Sequence, residues 1–189
     1  MFKNIRLKIG TYFLKKQLEV IVRERQAFNL DNAQSFGILY EAVDQESFET
    51  INNFVEVLKR AGKYVQVLGY VPAKRFEQDY FLKLDFHLYK YSDVNWSYIP
   101  SKQCVTDFIQ RDYDVLIDLS LNEHFPLQYV AALSRAKFKI GKDSVQNQKI
   151  HDMLITITEP NFNLKEFIRI IRHYMSMINN TQNQEVASV

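Results

Sequence analysis

A chain of 189 residues, 47% hydrophobic and 14% aromatic, has enough apolar surface for one sizeable core, and this excludes a disordered tract. No apolar run approaches the roughly 18 residues that cross a bilayer. The opening MFKNIRLKIGTYFLKKQLEV carries charges where a signal peptide has an apolar centre, and the single Cys104 rules out an internal disulfide, so a cytoplasmic location is expected.

The net charge of +2 is unevenly placed. Lys3, Arg6, Lys8, Lys15, Lys16, Arg23 and Arg25 face only Glu19 and Glu24 within residues 1–30, making that segment +5 and the remainder −3. Such an end can favour an anionic partner, but the solvated side of a helix is the stronger expectation. Residues 4–27 read as an amphipathic helix. Leu7, Leu14, Leu18 and Ile21 form one stripe, and Ile5, Ile9, Tyr12 and Val20 a second, which predicts contact with two surfaces: the core, and a partner subunit or the C-terminal helix.

An alternation follows. SFGILYEAV (35–43) is a strand. ESFETINNFVEVLKRAG (46–62) is a helix with Phe48, Ile51, Phe54, Val55 and Leu58 on one face, capped by Asp44 or Ser47 and stopped by Gly62. KYVQVLGYV (63–71) and FHLYKYS (86–92) are strands, SKQCVTDFIQRD (101–112) a short helix, and YDVLIDLSL (113–121) a fourth strand. FPLQYVAALSRA (125–136) is a helix with Pro126 in its first turn. KFKIG (137–141) and HDMLITIT (151–158) are strands, and NLKEFIRIIRHYMSMIN (163–179) is the last helix. All four prolines fall at boundaries, and 72–100 is long and irregular. Continuous apolar strands between helices predict a three-layer α/β/α, Rossmann-like fold with a mostly parallel sheet of five or six strands. One domain over 1–180, with the N-terminal helix in 1–30 and a disordered tail at 181–189, is the expected organisation.

The segments FGILYEAVDQESFETINNFVEVLKRAGKYVQVLGYV, SDVNWSYIP, DYDVLIDLSLNEHFPLQYVAALSRAKFKIG and HDMLITIT…FIRIIRHYM together resemble an uncharacterised bacterial family best represented among Bacteroidetes. That resemblance implies fold and lineage, not chemistry. Residues 35–142 also resemble, more weakly, the N-terminal half of heptosyltransferase-type glycosyltransferases. The matching positions are Asp114, Ile117, Asp118 and Leu119 in a D-x-x-I-D-L strand, followed by Lys137 to Gly141. Those enzymes carry a Gly-Asp pair after the first strand, where EAVDQES has Asp44 and no glycine. They also need a second domain, which the roughly 48 residues after Gly141 cannot build.

Ligands of open parallel sheets bind beyond the carboxyl ends of the strands, near the switch in strand order. With order 3-2-1-4-5 the candidates are Glu41, Asp44, Asp118, Ser120, Asn122 and His124. Each has a plainer role: Asp118 accepting backbone N–H bonds, and His124 as a surface histidine capping the helix at Pro126. None of the glycines forms G-x-G-x-x-G or a P-loop, so no nucleotide cofactor is expected. His87, His124, His151 and His173 lack metal-ligand spacing; His151–Asp152 is explained by a strand start, and no metal is expected. No nucleophile has a recognisable setting. Lys137 and Lys139 could receive an anion but read more simply as guards of an edge strand, and the NWSYIP loop with Trp96 and Tyr98 could stack on a ring-shaped ligand but reads more simply as locked onto the core.

The resulting expectation is a binding or protein-interaction module without a standard catalytic site, leaning against an enzyme. The terminal helices admit a homodimer, while nucleic acid and a membrane surface are not expected partners. The alternatives are a degenerate transferase binding a sugar or nucleotide sugar at the strand ends, and a peripheral adaptor using the basic N-terminal helix.

Overall fold

The computed structural model describes residues 2–72, 85–157 and 162–178. In chain order these form α1 (Phe2–Leu18), β1 (Ser35–Glu41), α2 (Gln45–Arg60), β2 (Tyr64–Val71), β3 (Phe86–Lys90), α3 (Gln103–Gln110), β4 (Val115–Asp118), α4 (Phe125–Leu133), β5 (Phe138–Lys142), β6 (Met153–Ile155) and α5 (Leu164–Met177). The six strands pair in parallel in the order β3-β2-β1-β4-β5-β6, so the order reverses between β1 and β4.

Period-two alternation in β1 divides the core. Phe36, Ile38 and Tyr40 join the cluster that includes Ile51 and Phe54 of α2 and Phe167 and Ile171 of α5. Leu39 joins Leu68, Tyr70 and Tyr89 with Phe108 of α3 and Leu127 and Val130 of α4. Both faces are therefore covered, which is why these strands read as unbroken apolar runs. The register is pinned at the amino ends by Asp114, whose Oδ2 accepts the Gln34 and Ser35 amides at 2.8 and 3.1 Å while Ser35 Oγ accepts the Asp114 amide at 2.9 Å.

Local signals explain the boundaries. Asp44 caps α2 by accepting the Ser47 amide at 2.8 Å. The helix ends where Gly62 takes a left-handed φ of 76°. The Gly62 amide donates to Lys59 O at 2.9 Å and the Lys63 amide to Leu58 O at 3.1 Å, the paired bonds of a Schellman stop.

Four expectations need correction. The first helix stops at Leu18 rather than 27, and an extended segment follows. The β-branched run Val20-Ile21-Val22 disfavours helix. Arg23 then holds the extended path through Ala136 O at 3.1 Å and both Asp152 oxygens at 2.6 Å, and the Gln26 amide donates to Lys137 O at 3.2 Å. Second, α1 does not meet the C-terminal helix. Leu14 is buried with Tyr129, Ala132 and Leu133, making α1 an outer layer on α4, while α5 lies beside α2 on the opposite face. Third, β5 is internal, and Lys139 is buried rather than an edge guard. Its ammonium donates to Ala131 O at 2.7 Å and Ala132 O at 2.9 Å, carbonyls in the last turn of α4. Burial pushes its pKa down to about 7, the nearby Arg23 and Arg25 acting the same way and Asp152 opposing them. Fourth, Trp96 is exposed, and its neighbour Ser97 is the buried residue of that loop. The expected tail at 181–189 and the boundary at Pro160 lie outside the described residues.

Candidate functional site

The switch in strand order brings Glu41 from the end of β1 against the loop that follows β4. Asn122 Nδ2 donates to Glu41 Oε2 at 2.8 Å. His124 Nε2 stands 2.8 Å from Glu41 Oε1, an ion-pair distance off the straight hydrogen-bond line. Burial raises the Glu41 carboxyl, but His124 and Asn122 outweigh it and leave its pKa below the ordinary value. His124 occupies the N-cap position of α4, yet its imidazole does not cap: the backbone carbonyl takes the Leu127 and Gln128 amides, both at 3.0 Å. The side chain is therefore free to serve Glu41 and the space above the sheet.

Asp118 lies one layer deeper. It is buried, its Oδ1 accepts the Ser120 amide at 3.0 Å, and its Oδ2 stands 3.5 Å from His151 Nε2. The His151 side chain is wholly buried, and Gly141 makes room for it: a Cβ there would meet Nε2 at 2.7 Å. Ser120 Oγ and Asn147 Oδ1 are buried without a hydrogen-bond partner among the described residues. Asp118, Ser120, Asn122, His124, Lys142 and Asn147 border a cavity of about 30 Å³, the size of a water molecule or two. Asp44 is committed elsewhere, as the cap of α2.

A much larger cleft, about 730 Å³, opens above the carboxyl ends of β2, β3 and β4. Tyr70 of β2 and Pro72 just after it line it, with Tyr91 and Tyr98 from the segment after β3, Glu123 and His124 from the β4–α4 loop, and Lys3, Leu7 and Thr11 from α1. Its floor is aromatic. Tyr70 lies against His124 with ring centroids 5.5 Å apart and against Tyr89 at 5.0 Å. Burial pushes the Tyr70 hydroxyl pKa up to about 12, with Tyr91, Tyr98 and Glu41 adding to it, so it remains a neutral donor.

The loop over 94–100 is a compact hairpin built on one asparagine. Asn95 Oδ1 accepts the Ser97 amide at 2.9 Å and the Ile99 amide at 3.1 Å, and the Asn95 amide donates to Ile99 O at 2.9 Å. This geometry holds Tyr98 at φ 63°, outside the usual range for a non-glycine residue, and aims its ring at the cleft. Arg6 of α1 closes over it, its guanidinium 4.2 Å from the Tyr98 ring centre, and donates to Trp96 O. Gly10 permits the approach, because a Cβ there would sit 2.3 Å from Ser97 O.

The six residues expected from sequence thus divide. Glu41, Asn122 and His124 form one group, with a hydrogen bond from Asn122 and an ion-pair contact from His124; His124 faces the cleft, Asp118 and Ser120 line the small cavity, and Asp44 caps α2. Of the tyrosines only the loop of Tyr98 is marked in the sequence, as a possible stacking surface; Tyr70, Tyr91 and the α1 residues were missed, since nothing local in sequence distinguishes Tyr70 or Thr11 from core or surface positions. His151 was passed over as a strand start, although it precedes β6 and reaches Asp118.

The model of a family of unknown function (DUF6913) matches residues 6–178. The chain belongs to that family. No curated protein matches it.

Proposed function

We propose that this DUF6913 protein is a binding module whose ligand is a small polar molecule carrying a ring, of the sugar or nucleoside kind, held between α1 and the carboxyl ends of the strands. One observation carries the reading: a cleft of about 730 Å³ at the strand ends, lined by Tyr70, Tyr91 and Tyr98. That volume is in the range of small-molecule sites, where apolar and aromatic walls are combined with a few convergent polar groups. Tyrosine faces stack on the C–H face of a sugar or on a base. Glu123, His124 and Gln128 supply polar contacts on one side and Lys3 a cation on the other. The absence of a glycine-rich phosphate loop from the sequence favours a ligand recognised through its ring rather than through a cradled pyrophosphate.

A thermal-shift screen of nucleosides, nucleotide sugars and sugar phosphates tests it, because saturating binding to the native state raises Tm by mass action. A ligand class that stabilises the wild type and fails to stabilise Tyr98→Ala supports the reading. No stabilisation by any class would oppose it.

A second reading has its own observation. A carboxylate beside an imidazole, Glu41 Oε1 to His124 Nε2 at 2.8 Å, is the orienting half of a general-base arrangement. In a transferase-like protein His124 would take the proton of an acceptor hydroxyl while Glu41 stabilised the imidazolium. Turnover of a bound nucleotide sugar, abolished in His124→Ala, would favour it over binding alone.

A further inference from the structure

The first helix has two faces with different chemistry, and only one is used by the fold. Its inner side seats Gly10 and Leu14 on Ser97, Phe125 and Tyr129, and offers Lys3, Leu7 and Thr11 to the cleft. Its outer side carries Ile5, Ile9, Tyr12 and Phe13 at helical spacing, all exposed, with Tyr12 at 63%. The apolar surface continues past the helix through Val20 and Val22, the latter 96% exposed, and Trp96 is exposed beside Arg6.

Around that stripe the charge has one sign. Lys3, Arg6, Lys8, Lys15 and Lys16 lie within Phe2–Leu18, and no acidic residue does. Lys8, Lys15 and Lys16 are in no ion pair among the described residues. Partly exposed branched and aromatic side chains interleaved with unpaired lysines form an apolar stripe in a basic surround, a composition that suits a helix lying in a lipid interface.

We propose that the outer face of α1 docks on an anionic lipid surface. Charge decides between occupants. A second copy laid antiparallel would place Lys15 and Lys16 of one helix near Lys8 of the other, with no carboxylate on the helix to offset them. A negatively charged bilayer supplies the missing charge and suits Trp96 and Tyr12 as interfacial aromatics. Because the cleft is walled by the opposite side of the same helix, docking leaves it covered by α1. The inference stands whether or not the cleft binds a ligand.

The test is flotation of the full chain with vesicles of phosphatidylcholine alone or with about one-third phosphatidylglycerol. The protein is expected to float with the anionic vesicles at low salt and to be released near 0.5 M salt, roughly where screening becomes short-ranged. At about 1 kcal/mol per lysine, roughly fivefold each, Lys8→Ala/Lys15→Ala/Lys16→Ala should weaken partitioning on the order of 100-fold. Ile5→Ser/Ile9→Ser should weaken it independently of salt. Both variants alter exposed positions, so their melting curves should match the wild type. Should the triple variant unfold, the serine pair and the wild-type salt series still decide the matter. No flotation at low salt would overturn the proposal, and so would equal flotation on neutral vesicles. Light scattering that shows a dimer broken by the serine pair would overturn it in favour of a second copy.

Discussion

Gly10→Ala sets two effects of known size against each other. In an isolated helix the exchange stabilises by about 1 kcal/mol, because alanine removes backbone freedom from the unfolded chain. In this fold the new methyl would stand 2.3 Å from Ser97 O and 2.8 Å from a Phe125 ring carbon, where ordinary contact begins at 3.4 Å. The oxygen belongs to a backbone that Asn95 holds in place, so the shortfall of about 1 Å must be taken up by α1 itself. Overpacking of this kind costs about 1–3 kcal/mol, and with a backbone atom on one side the upper half of that range applies. The net expectation is a loss of roughly 1–2 kcal/mol. Because α1 is held mainly through Leu14, Arg6 and the 2.8 Å bond from Tyr129 Oη to Gln17 Oε1, the loss should appear as local lifting of the helix. Hydrogen exchange across Phe2–Leu18 and trypsin cleavage at Lys15 or Lys16 would then accelerate while the sheet stays protected. A variant about 1 kcal/mol more stable by urea titration, with α1 equally protected, would refute the close-approach argument.

Three further outcomes follow from the buried polar groups. An unfolded lysine holds its proton to near its ordinary 10.5, whereas folded Lys139 releases it near 7. The unfolded state therefore binds more protons in that window, and stability should rise with pH from about 7 toward 9.5; urea midpoints of Lys139→Met should lack this slope, and parallel profiles would contradict the assignment. Glu41 has the same sign in a more acid window: its lowered pKa contributes stability present above the ordinary 4.5 and lost as pH falls through the folded value. Acid unfolding of Glu41→Gln, followed by circular dichroism, should begin less steeply, and an unchanged acid limb would count against the Glu41–His124 contact. Asp118→Ala removes the acceptor of the Ser120 amide and the polar neighbour of His151. Leaving such groups buried costs about 1–3 kcal/mol, and a chemical-denaturation loss below about 0.5 kcal/mol would show that Asp118 is not structural.

Strand and helix positions were legible because burial on both faces imposes patterns that no surface function disturbs. Asp44, Gly62 and Pro126 marked their boundaries through local capping chemistry. Two signals misled because they depend on what lies across the fold, and a third because local bonds replaced the expected aromatic anchor. The lysine of KFKIG reads as an edge guard until β6 is seen beyond it and the end of α4 is seen to receive its ammonium. The helical pattern of residues 4–27 ran on past Leu18 because the Arg23–Asp152 bond joins positions far apart in sequence. Trp96 was expected inside, yet a loop closed by Asn95 needs no aromatic anchor. Of the candidate site, the polar residues at the strand ends could be named from topology. The cleft could not, because its walls come from α1, from the ends of β2 and β3 and from the β4–α4 loop, segments with no shared motif.

The most direct measurement is ligand-observed saturation-transfer NMR with pooled nucleosides, nucleotide sugars and sugar phosphates, comparing the wild type with Thr11→Trp, which places an indole in the cleft mouth. The account predicts that one ligand class transfers saturation from the wild type and not from a Thr11→Trp protein of unchanged Tm. Equal transfer from both proteins, or none from any class, would contradict a binding site beneath α1.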